Sequence, residues 1–162
     1  MNTSTEVLFN PIGIIKTEFK NTVGIPIQFC FGRDHVGEVE LYSQYVDGLK
    51  DLNDIQYIYL LYHFNRHSDY KLIVKPYMDE TPRGLFSTRA PKRPNGIGLS
   101  IVEIIAIENN IIIFKGVDMV DNTPLLDIKP YVPKLDHVES NKNGWYDFVN
   151  NNGQKKISDD RF

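Results

Sequence analysis

The stretch from Gly98 to Val120, GLSIVEIIAIENNIIIFKGVDMV, sets two β-branched apolar runs on either side of Glu108-Asn109-Asn110. Asparagine tolerates the left-handed backbone that tight hairpin turns require, so the segment reads as a β-hairpin. Similar signals lie on both sides of it. Pro11–Thr17 (PIGIIKT) is short and β-branched and reads as a first strand. GEVELY alternates, with Val39 and Leu41 on one face and Glu38 and Glu40 on the other, the pattern of a half-buried strand. Ile55–Phe64 (IQYIYLLYHF) is rich in β-branched and aromatic residues and reads as a central strand buried on both faces. KLIVKP reads as a further strand ended by Pro76. PLLDIKPYVP is extended, because prolines at 124, 130 and 133 exclude a helix interior. Only YSQYVDGLKDL shows helical spacing, enough for a turn or two. Seven or so short strands with turn signals between them point to an all-β barrel or sandwich.

The 162 residues fit one domain with a real core. A net charge of -3 argues against a basic nucleic-acid binder as a whole. The window Arg66–Arg93 differs, with seven basic against three acidic side chains. That is the signature of a phosphate-facing patch or of a solvated loop. Cys30 is the single cysteine, which excludes an intrachain disulfide and suits a reducing compartment. No stretch is long enough to span a membrane, and the N-terminus has no signal-peptide pattern; the expected location is the cytoplasm.

Several chemistries fail on spacing. Gly96-x-Gly98 begins a dinucleotide fingerprint, but Ile101 stands where the third glycine is required and no helix pattern follows. His63 and His67 lie four apart without the glutamate of a zinc-protease motif, and no metal-ligand set is expected. Two clusters remain. Thr88–Ser100 (TRAPKRPNGIGLS) carries Arg89, Lys92 and Arg93 on backbone stiffened by Pro91 and Pro94. It fits a preorganised anion site or a structural crossover equally well. The stretch GVDMVDNTPLLDIKPY sets Asp118, Asp121 and Asp127 around a turn, either as a site or as self-satisfied Asx bonding.

Together, GIIKTEF, GIPIQ, GEVELYSQYVDGLKDL, IQYIYLLYHF, GLFSTRAPKRPNGIGLSIVEI, GVDMVDNTPLLDIKPYVPKLD and GWYDF occur in the order seen in the TsaA-like family, whose best-known members are TrmO-type tRNA methyltransferases. The resemblance covers Val7 to Phe148. It implies a closed or nearly closed β-barrel of about seven short strands over residues 1–136. Residues 137–162 would form a C-terminal extension, an aromatic knot docked on the barrel and then a disordered tail from about Asn150. It implies S-adenosylmethionine as cofactor, tRNA as partner, a homodimer, and methylation of the exocyclic nitrogen of threonylcarbamoyladenosine beside the anticodon. Alternatives are a non-catalytic cofactor- or RNA-binding module, or another methyl acceptor.

Carried over residue by residue, the cofactor contacts fall at Pro26, Ile27, Gln28, Phe64, Asn65, Arg89, Leu99, Asp121, Asn122, Thr123 and Pro124. Candidate proton acceptors are Asp118, Asp121 and Tyr131, unranked. Arg83, Lys92 and Arg93 would meet tRNA phosphates. The chain departs from the family pattern at Gly96, where proline is usual, and at Asn65, where histidine is frequent. Many bacterial members also carry a second C-terminal domain.

Overall fold

In a computed structural model, residues 6–149 and 156–162 are described. Eight strands form in chain order: β1 (Gly13–Lys16), β2 (Val36–Leu41), β3 (Tyr57–His63), β4 (Ile73–Val74), β5 (Arg83–Gly84), β6 (Ile97–Glu108), β7 (Ile111–Lys115) and β8 (Thr123–Pro130). Six of them close an antiparallel barrel in the order β1-β2-β7-β6-β3-β8, and β4 and β5 pair separately as a small ribbon. The expected closed all-β barrel is thus present with six strands in the wall. The KLIVKP strand shrinks to the two residues of β4.

The hairpin is tighter than the sequence suggested. Glu108 still pairs with Ile111, so the loop is Asn109-Asn110, with Asn109 at φ 57°. The Asn110 side chain donates to the Leu41 carbonyl and the Leu41 amide donates back to the Asn110 carbonyl, both at 2.9 Å. The turn therefore fastens the end of β2 as well as joining its own strands. The twelve residues of β6 serve two neighbours: Ile97–Glu103 pair with β3 and Glu103–Glu108 with β7. A bulge between Ile104 and Ala106 turns the strand round this corner.

Alternation decides which residues fill the barrel. Val39 and Leu41 are buried while Glu38 and Glu40 face out, as the sequence predicted. Ile15, Ile58, Leu60, Val102, Ile112, Phe114 and Leu125 fill the interior. Each such side chain contributes roughly 1.5–3 kcal/mol by leaving water. The expectation that β3 is buried on both faces is corrected. Ile58, Leu60 and Tyr62 point inward, whereas Tyr57, Tyr59 and Leu61 are only half-buried on the outer wall. A barrel strand has one dry face, and tyrosine is equally at home on the other.

The C-terminal expectation also changes. Residues 150–155 of the predicted tail lie outside the described residues. Residues 156–162, however, form a docked strap. Ile157 bridges Pro26, the Ile25 amide donates to Ser158 Oγ (2.9 Å), and Ser158 Oγ donates to the Thr22 carbonyl (2.7 Å). The aromatic knot rests on the β5 region rather than the barrel wall. Trp145 Nε1 donates to the Ser87 carbonyl (2.8 Å), and the Arg83 guanidinium lies 5.7 Å from the Trp145 ring centre.

Gly98 pairs with Tyr62, and a Cβ built on it would lie 2.1 Å from the Tyr62 ring. Gly98→Ala must push that ring aside, so it should destabilise the protein by about 1–3 kcal/mol, read from the denaturation midpoint.

Candidate active site

At the end of the barrel where β3 stops and β6 and β8 start, a cavity of about 890 Å³ opens among the loops. That volume is in the range of sites that enclose a small organic ligand. Four stretches distant in sequence build its walls: Pro26–Phe31, Phe64–His67, Thr88–Arg93 with Ile97–Ile101, and Asp118–Val120. Pro76, Tyr77 and Met78, together with Tyr146 and the strap residues Ser158 and Phe162, add to them. The walls are mainly apolar, with Phe64, Leu99, Ile27 and Met119 among them.

Inside lies a chain of three polar side chains. Tyr62 and Ser100 point inward from β3 and β6, in a series otherwise filled by apolar residues. The Tyr62 hydroxyl is 3.0 Å from Ser100 Oγ, and Ser100 Oγ donates to Asp118 Oδ1 at 2.5 Å. Ser100 has one hydroxyl proton and gives it to Asp118, so Tyr62 must be the donor to Ser100. Burial pushes the Asp118 carboxyl up to about 7, against the lowering pull of the Ser100 hydrogen bond, the Arg89 charge and the Phe29 amide. The same burial, reinforced by the Asp118 charge, raises the Tyr62 hydroxyl, which stays protonated. Asp118 is thus a carboxylate poised near neutrality, as proton-transfer groups require.

Arg89 is the cation facing it. Its guanidinium is exposed and donates to Gln28 Oε1 at 2.6 Å, joining two of the walls. His67 is held below the usual histidine value, chiefly by burial and then by the Lys92 charge.

Of the expected contacts, Pro26, Ile27, Gln28, Phe64, Asn65, Arg89, Leu99 and Thr123 line this cavity, whereas Asp121, Asn122 and Pro124 do not. Asp121 is buried and fully engaged elsewhere. Its Oδ1 accepts from the Thr17 amide (2.9 Å), and its Oδ2 accepts from Asn122 (2.7 Å) and pairs with Lys20 (2.7 Å). Burial opposes its charge, but the hydrogen bonds from Lys20 and Thr17 outweigh it and hold the carboxyl below the usual range. Asn122 accepts from Lys16 (2.6 Å), and Pro124 pairs with Ile14 of β1. These residues close the barrel and do not face the cavity. Tyr131 also lies outside it. Its amide bonds Tyr57 at the far end of β3, and its ring packs edge-on to Tyr59 at 5.6 Å. Asp118 is therefore the one proton acceptor among the three candidates that the fold brings to the cavity.

The expected phosphate contacts also have partners within the chain. Arg83 pairs with Asp79 at 2.7 Å, Lys92 with Asp69 at 3.3 Å, and Arg93 donates to the Thr88 and Ala90 carbonyls at 3.0 and 3.3 Å. Lys92 and Arg93 brace the loop that carries Arg89, and Arg83 braces the turn before it. Gly96 has φ 55°, which proline cannot adopt, so the turn here differs from one with proline at that position. Sequence reasoning passed over Ser100 and Tyr62. The available signal was a serine at an inward position between Gly98 and Val102. Among the described residues no group of side chains could hold a metal ion, and no helix is long and apolar enough to cross a membrane.

Comparisons with known proteins agree with this architecture. Residues 14–137 match the model of the tRNA-methyltransferase O N-terminal domain. A protein of Pyrococcus abyssi named "Probable S-adenosyl-L-methionine-binding protein" is 43% identical over 156 residues, covering 96% of this chain and 85% of that protein. The mouse tRNA (adenine(37)-N6)-methyltransferase is 34% identical over 137 residues, 80% of this chain but 32% of that enzyme. The crystal structure of TrmO from Pseudomonas aeruginosa aligns with a TM-score of 0.72 at 34% identity, over 86% of this chain and 62% of that one. The chain thus spans less than two thirds of the solved TrmO chain and about one third of the mouse enzyme.

A raised carboxyl has a defined effect on stability. An aspartate in the unfolded chain ionises near 3.9, whereas Asp118 ionises at about 7 when folded. Its contribution is complete below about pH 4 and is lost as pH rises towards 7. Replacing it by asparagine should therefore stabilise the cofactor-free protein progressively over that interval, relative to the parent, and no further above it. Melting temperatures of the two proteins measured across pH 4–8 check this.

Proposed function

The chain belongs to the tRNA-methyltransferase O N-terminal domain family, and from that premise we propose that it is an S-adenosylmethionine-dependent methyltransferase acting on the exocyclic nitrogen of threonylcarbamoyladenosine beside the anticodon of tRNA. The observation that carries the reading is Asp118, a carboxylate ionising near neutrality in a cavity that also presents the exposed Arg89 guanidinium and apolar walls.

The residues present fit such a cofactor. Phe64, Leu99 and Ile27 offer apolar surface for a purine and its sugar, Asn65 offers amide donors and acceptors, and Arg89 suits a carboxylate. When bound, the cofactor supplies an electrophilic methyl group on sulfur. The walls hold the two reactants together and exclude water, which lowers the barrier through proximity and orientation. The acceptor nitrogen is conjugated to a ring and a urea carbonyl, so its proton must leave as the nitrogen–carbon bond forms. Asp118 Oδ takes that proton. The Tyr62–Ser100 chain, donating towards Asp118, keeps the carboxylate aimed and partly charged until it does so. Ser100 and Tyr62 act through Asp118.

A cofactor-binding protein without turnover would share the cavity, but it would have no use for a carboxylate held near its ionisation point. A homodimer belongs to the same reading, as does a cytoplasmic location.

Incubation with methyl-labelled cofactor and tRNA bearing the modified adenosine should transfer label to that nucleoside. Folded, cofactor-bound protein that transfers none would sink the proposal. The rate should climb with pH up to about 7 and level beyond it. Asp118→Asn should lower kcat about 100- to 10,000-fold and abolish the pH dependence. Arg89→Ala should weaken cofactor binding in calorimetry, and parent-like affinity would refute the anion-site role.

A further inference from the structure

Phe86 is 76% exposed, an unusual place for a phenyl ring that is held rigidly. It sits on a three-residue 3-10 turn, Leu85–Ser87, whose other apolar member points the opposite way: Leu85 is 1% exposed and anchors a small core with Val74 and Ala90. The turn is fastened on all sides. The Leu85 amide donates to the Leu72 carbonyl (2.8 Å), Ser87 Oγ to the Gly84 carbonyl (2.8 Å), and Trp145 to the Ser87 carbonyl (2.8 Å). Phe86 is therefore displayed by design of the turn and not by mobility.

Its surroundings are basic. The Arg93 guanidinium lies 5.9 Å from the Phe86 ring centre, and its two hydrogen bonds to the Thr88 and Ala90 carbonyls lock it there. Next along the chain, Thr88 and Arg89 enter the wall of the cavity. The ring thus stands three residues from the cavity's own cation, beside a guanidinium that needs no further ordering.

We propose that Phe86, backed by Arg93, is a stacking platform for an unpaired RNA base flanking the nucleotide that enters the cavity. The proposal rests on the tRNA reading above and adds the surface that reads the neighbouring base. Single-stranded RNA is held by aromatic faces and guanidinium planes because every base has a π-face and every linkage a negative charge. A preorganised platform of this kind loses little entropy on binding. A second copy of the chain fits the patch less well. In a two-fold contact centred on Phe86, Arg93 of one copy would oppose Arg93 of the other.

The test uses the full chain and a hairpin RNA whose loop carries the modified adenosine. Phe86→Ala should weaken RNA binding roughly 5- to 100-fold and raise KM for RNA. Calorimetric affinity for the cofactor and kcat at saturating RNA should stay at parent values. Phe86→Trp should restore RNA affinity. Parent-like RNA affinity in Phe86→Ala, with methylation intact, overturns the platform and leaves the function standing. A change of sedimentation in Phe86→Ala without loss of RNA affinity assigns the ring to contact between copies, and also overturns it. Failure of the parent protein to bind or methylate the RNA removes both this inference and the reading beneath it.

Discussion

Closure of the barrel depends on one short strand. β1 has four residues, yet it must pair with β2 on one side and β8 on the other. Gly13 makes this possible, since a Cβ there would meet the Glu40 carbonyl oxygen at 2.4 Å. Where β1 ends, Asp121 takes over the pairing, accepting the Thr17 amide and binding Lys20. An open sheet would leave two edges exposed and no enclosed end. The closed ring gathers the loops after β3 and β7, and those before β6 and β8, around a single rim. The cavity is a product of that closure and not of any one motif.

Closure also explains why the inside of the barrel changes character along its axis. Through the middle, Ile15, Val39, Ile58, Leu60, Val102 and Leu125 pack as hydrocarbon. At the rim the inward series becomes Tyr62, Gly98 and Ser100, ending on Asp118. A buried carboxylate without partners would be expensive to ionise; with the Ser100 hydroxyl, the Arg89 charge and the Phe29 amide it titrates near neutrality instead. The barrel core therefore sets the chemistry of the site through its dielectric, while Ser100 sets the orientation.

Much of this was legible in the sequence, for reasons that differ by residue. Val39 and Leu41 alternate with glutamates, and that period has one physical meaning. Asn109-Asn110 between β-branched runs likewise has few alternatives to a turn. The two-sided burial expected of β3 failed because Tyr57 and Tyr59 satisfy both a wall and a surface, so composition cannot assign their faces. Arg83, Lys92 and Arg93 looked available because their partners, Asp79, Asp69 and two loop carbonyls, depend on how the loop folds back. Only Asp79–Arg83, four residues apart, could have been guessed. Asp121 drew the eye by its motif, yet its hydrogen bonds are spent across more than a hundred residues of chain, on Thr17. The polar strap carried no sequence signal at all, since backbone groups make much of its attachment.

The strap has a consequence for the order in which the protein is assembled. Residues 22–26 owe their position to Ser158 and Ile157, through the Ile25 and Gly24 amides and the Thr22 carbonyl. Every barrel strand is complete by Pro130. The ring can therefore shut before Ser158 docks, leaving one side of the cavity without its support until it does. The scaffold is thus built from strands that precede the strap, and the binding wall is tied down by a segment outside the ring.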